Sequence, residues 1–182
     1  MLAHALAFEP DRVIYGMCLN DMDRRVPMLA WEKVWDDYAA LGEPWLGGRS
    51  AVLNFLQVRR RQAQLFAARP PDAGALIAAD PGPWERQQAA LRAIHAHLSA
   101  AGVPFTIAVF PMLSLLGDGY PYASLHAAVA AFAAAEGIDT LDLYPRFAGR
   151  RDRELWVHPY DQHPNPAAHR LFAQGIDEHL AR

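Results

Sequence analysis

Phe105-Thr106-Ile107-Ala108-Val109-Phe110 is an unbroken apolar run of strand length, preceded by Gly102 and closed by Pro111. A run without polar alternation suits a strand buried on both faces, as in parallel sheets that carry helices on each side. The flanks support that reading. Upstream, Pro83 opens a helical pattern from Trp84 to Ala101 that Gly102 stops; downstream, Pro121 starts another from Tyr122 to Glu136 that Gly137 stops. Ile138–Leu143 then gives a third short strand, and a last helix runs from Pro166 to about Leu180. Towards the N-terminus, Val13-Ile14-Tyr15-Gly16-Met17-Cys18-Leu19 is a second continuous apolar run, again expected to be buried on both faces. Between these runs, 31–38 and 49–68 read as helices, the second with Val52, Phe55, Leu56, Leu65 and Phe66 as its apolar stripe. Residues 41–48 and the Pro/Gly-rich 69–82 read as irregular connections. Alternation of this kind predicts an α/β fold: a parallel sheet with right-handed crossovers in a three-layer α/β/α arrangement.

Length and composition narrow the function classes. The 182 residues suit one domain, and a net charge of −3 leaves no electrostatic footprint for nucleic acid, the local Arg59-Arg60-Arg61 run notwithstanding. Cys18 is the single cysteine, so neither an intrachain disulfide nor a thiolate zinc cluster is available. No apolar segment approaches the roughly 20 residues of a membrane span, and no signal-type leader is legible, so the chain as written reads as cytoplasmic.

Chemistry concentrates near the C-terminus. Leu155-Trp156-Val157-His158-Pro159-Tyr160-Asp161-Gln162-His163-Pro164-Asn165-Pro166-Ala167-Ala168-His169 mixes imidazoles, a carboxylate and prolines between an apolar entry and a helical exit. An Asp two residues before a His can accept its Nδ1–H, fix the tautomer and leave Nε2 free as a general base. The alternative is that Asp161 caps the final helix and the histidines are solvated on a loop. Asn20-Asp21, directly after the 13–19 strand, sits where open α/β sheets place their ligands. An amide there can donate to a developing oxyanion while His163 moves protons.

Those two stretches together carry a resemblance. Pro10 to Asp21, a buried strand ending in Gly-x-x-x-Asn-Asp, resembles the third conserved block of the SGNH/GDSL hydrolases, and Asp161-Gln162-His163-Pro164-Asn165 with His169 resembles their last block. The resemblance spans essentially the whole chain. It implies an SGNH-type α/β sheet, Asn20 as an oxyanion donor, His163 as general base, Asp161 as its orienting carboxylate, an acyl-ester substrate and no cofactor. The chain departs from the family's pattern where Cys18 replaces a usual Gly and where only Gln162 separates Asp161 from His163. It also holds no Gly-Asp-Ser, the block that bears the family's nucleophile.

Ser50, Ser99, Ser114 and Ser124 are the serines on offer, and Ser114 alone falls in a loop where it would near the site. The resemblance therefore implies a single domain over 1–182 that lacks the first strands and is inactive alone. The strand at 13–19 would then present an uncovered edge, open to self-association or to completion by an N-terminal piece. Two other readings stay open: a non-catalytic interaction domain of the same fold, and a metal site built from His158, Asp161, His163 and His169.

Overall fold

The computed structural model describes residues 7–22, 52, 56, 60, 72–158 and 161–181. Among the described residues, three parallel strands form a sheet, in the order β1 (Val13–Cys18), β2 (Phe105–Phe110), β3 (Asp139–Asp142). Their register pairs Gly16 with Ala108 and Ala108 with Leu141. Described helices are α1 (Gly74–Ala79), α2 (Gly82–Ala100), α3 (Ala123–Glu136) and α4 (Pro166–Leu180). The fold is α/β.

The central strand β2 is buried from Phe105 through Val109, as its apolar run requires. Alternate residues along a strand face opposite ways. On one side Phe105 meets His95 of α2, and Asp142 meets His126 of α3, while Trp84 of α2 packs edge-on against Phe132 of α3. On the other side Phe110 meets Phe172 of α4, and Asp139 meets His179 at its far end. Burying each such Phe or Leu side chain stabilises the fold by roughly 1.5–3 kcal/mol.

Two close approaches require glycine. A Cβ on Gly16 would come within 2.8 Å of the Phe110 ring, which lies across that strand. One on the buried Gly175 would run into Leu143 and the Arg146 side chain, so α4 reaches the end of β3 only because Gly175 has no side chain.

The structure changes several expectations. β1 is not buried on both faces: Met17 is buried, but Ile14, Gly16 and Cys18 are exposed, and among the described residues β1 pairs only with β2. A continuous apolar run does not distinguish an edge from a centre. Part of 69–82 is helical, as α1, because Asp72 accepts from both the Ser124 hydroxyl and the Gly74 N–H and anchors the first turn. The helix expected over 31–38 lies outside the described residues, as does most of that over 49–68. Of the latter, Val52, Leu56 and Arg60 are helical and exposed. No helix among the described residues is long and apolar enough to cross a membrane.

Candidate active site

The C-terminal stretch is a β-hairpin and not a loop. β4 (Trp156–His158) pairs antiparallel with β5 (Asp161–Pro164), with Trp156 opposite Pro164 and His158 opposite Asp161. Pairing fixes the alternation of side chains along β5, so Asp161 and His163 fall on the same face two residues apart.

The Asp161 carboxylate holds His163 twice. Its Oδ1 lies 2.5 Å from the ring Nδ1 and accepts the His163 backbone N–H at 3.0 Å. These bonds, the backbone one foremost, keep the Asp161 carboxyl below the usual carboxylate range. An ionised carboxylate only accepts, so the Nδ1 proton belongs to His163, and in the neutral ring this tautomer leaves the lone pair on Nε2. The ring is 86% exposed, which leaves that lone pair accessible.

Asp161 does not cap the following helix. Asn165 does: its Oδ1 accepts from Ala167 N at 2.9 Å and Ala168 N at 3.1 Å, while Nδ2 donates to Glu154 O and Trp156 O. Pro166 follows at the first helical position, where a missing N–H costs nothing. One side chain thus ties the hairpin to the start of α4.

Asn20 lies in a single 3₁₀ turn, Leu19–Asp21, directly after β1. Asp21 braces that turn, accepting from Cys18 N at 3.2 Å and from the Tyr15 hydroxyl at 3.1 Å, and Gln87 of α2 donates to the same hydroxyl. Burial first, and Asp21 second, push the Tyr15 phenol and the Cys18 thiol above their ordinary values.

The two pieces meet. Asn20, Asp161 and His163 line one cleft of about 650 Å³ with Cys18, Phe110, Pro111, Met112, Leu113, Gln162, Pro164 and Phe172. It opens at the carboxyl ends of β1 and β2, the rim where α/β sheets bind ligands. Its floor, Pro111–Leu113, is held from several directions. Trp156 Nε1 donates to Leu113 O at 2.5 Å, Asp152 accepts from Leu115 N and Leu116 N, and the Tyr120 hydroxyl donates to Met112 O. Leu115 sits at φ 60, a conformation disfavoured for a branched side chain, and the Asp152 carboxylate offsets that strain.

Ser114 does not reach the cleft. It is buried, and its hydroxyl bonds to that of Tyr122. Ser124 is committed to Asp72 and to the Gly74 N–H. Ser99 is exposed on α2, and Ser50 lies outside the described residues. The metal reading fails geometrically, since no three His, Cys, Asp or Glu side chains converge among the described residues.

A second His–carboxylate pair escaped the sequence reading. His126 of α3 places Nδ1 2.8 Å from Asp142 Oδ1 at the end of β3, and Asp142 also accepts Tyr144 N at 2.9 Å. Tyr120 and Tyr144 stack at 4.1 Å beside the imidazole. Burial pushes both phenols upward, so they stay neutral.

No family model, curated protein or solved structure matches the chain. The motifs and the geometry of the cleft therefore carry the functional argument alone.

Proposed function

We propose that the chain is the carboxyl-terminal part of an SGNH/GDSL-type serine hydrolase that cleaves or transfers an acyl group. The observation that carries the reading is the shared cleft: a His163 whose Nδ1 is bound by Asp161 lies on the same rim as the Asn20 amide. In this mechanism His163 Nε2 takes the proton of a serine hydroxyl as that oxygen attacks the ester carbonyl. Asp161 stabilises the imidazolium that forms, and Asn20 donates to the oxyanion. His163 then returns the proton to the leaving alcohol. On this reading the serine belongs to a Gly-Asp-Ser block, which does not occur within the 182 residues.

Turnover of 4-nitrophenyl acetate tests this. The chain alone is expected to be inactive, and a Gly-Asp-Ser segment encoded immediately upstream is expected to restore activity on mixing or fusion. His163→Ala then removes it by a factor of roughly 10³ or more. Turnover by the chain alone that His163→Ala abolishes would place a nucleophile inside these residues and overturn the reading. So would restored turnover that ignores His163.

The exposed Ile14, Gly16 and Cys18 of β1 favour a second reading, a non-catalytic interaction domain of the same fold. Under it, an added segment associates with the chain and no turnover follows.

A further inference from the structure

The cleft beside His163 is apolar away from its hairpin and its 3₁₀ turn. Phe110 and Phe172 meet edge to face at 4.6 Å and form one wall, and Leu113 is buried beneath them while Met112 is partly covered. A methionine adapts its shape to a flexible chain. The volume of about 650 Å³ lies within the roughly 300–1,000 Å³ of small-molecule sites.

Charge decides what that space accepts. Among the described residues that line it, no Lys or Arg is present, and Asp161 is an anion held ionised by its bonds to His163. A carboxylate or phosphate entering the cleft would lose water, meet no Lys or Arg among the described residues that line it, and lie near a like charge. A hydrocarbon chain loses nothing there and leaves water.

We propose that this cleft seats an uncharged, apolar acyl chain of medium length against Phe110, Met112, Leu113 and Phe172. The inference rests on the hydrolase reading for the word acyl, since the chain would extend from the carbonyl presented to His163. The anchored floor supports it independently, because a site held by Trp156, Asp152 and Tyr120 is formed before the ligand arrives.

Occupancy can be measured without catalysis. Cys18 is the only cysteine, is exposed, and lines the same cleft, so its alkylation by N-ethylmaleimide reports whether the cleft is filled. In the 182-residue chain, butanamide, hexanamide and octanamide are expected to slow that alkylation with apparent Kd falling about two- to fourfold per added methylene. Ionised octanoate is expected to protect at least tenfold more weakly than octanamide. Met112→Glu should weaken octanamide protection by tenfold or more, and Met112→Leu should keep it, which separates loss of the site from loss of the fold. Absence of protection by octanamide, protection independent of chain length, or equal protection by octanoate would each overturn the proposal. Binding with the expected length dependence, in a chain that stays inactive after Gly-Asp-Ser is supplied, would sink the hydrolase reading and retain the chain-binding cleft. Turnover of acetyl esters with no length-dependent protection would do the reverse.

Discussion

Asp161–His163 and His126–Asp142 are the same chemical pair in opposite settings. Both bind a carboxylate oxygen to Nδ1, at 2.5 Å and 2.8 Å. The His163 side chain is 86% exposed and borders a cleft, whereas that of His126 is 4% exposed between α3 and the end of β3. His126 Nε2 is buried and has no hydrogen-bond partner among the described residues. A general base needs a lone pair that substrate can reach. His126 fails that requirement and His163 meets it, so the pairing alone identifies nothing. Access separates a catalytic candidate from a structural strut.

Stability measurements press hardest on this contrast. His126→Ala leaves a cavity beside Tyr120 and Tyr144 and strips Asp142 of a partner, which should cost about 2–4 kcal/mol in urea denaturation. His163→Ala removes an exposed ring and should stay within about 0.5 kcal/mol of the parent. Equal losses at the two sites would break the comparison, because His163 would then be structural as well.

Asn165→Ala comes next in size. It removes the cap of α4 and the two bonds to Glu154 O and Trp156 O, with an expected loss of about 1–2 kcal/mol. Amide exchange should also quicken along β5 and the first turn of α4, while α2 keeps its protection. Uniform quickening across the sheet would show that the hairpin is not a separable unit.

How far the sequence reaches follows from the range of each interaction. β2 and α4 were legible because their signals are local: an unbroken apolar run, and a proline-opened start with apolar spacing behind it. Asp161 and His163 were legible as neighbours, and the topology then brought Asn20 to their rim. The hairpin was not, because Pro159 and Pro164 argue against strands and no short-turn signature joins its halves. His126 and Asp142 lie on different elements, and Trp156 reaches Leu113 across 43 positions, so no local pattern announces either contact. Asn165 was readable. An Asn immediately before a helix-opening Pro is a cap signal, and the nearby Asp161 offers a competing one.

The smallest effect tests which bond holds the exposed pair. Asp161 has its carboxyl depressed chiefly by the His163 backbone N–H and only then by the ring. A depressed carboxyl stabilises the folded chain above the unfolded value of about 3.9, and that contribution disappears as pH falls through the folded value. Carboxyl ¹³C shifts should therefore place the Asp161 midpoint below about 3.9. His163→Ala keeps the backbone N–H and loses the ring, so most of the depression should persist. If the midpoint instead returns to the ordinary value, the imidazole is the principal partner. Asp161 would then be tuned by the histidine it orients, which would tighten the resemblance to a catalytic pair and leave the β5 backbone with the lesser part in holding the carboxylate.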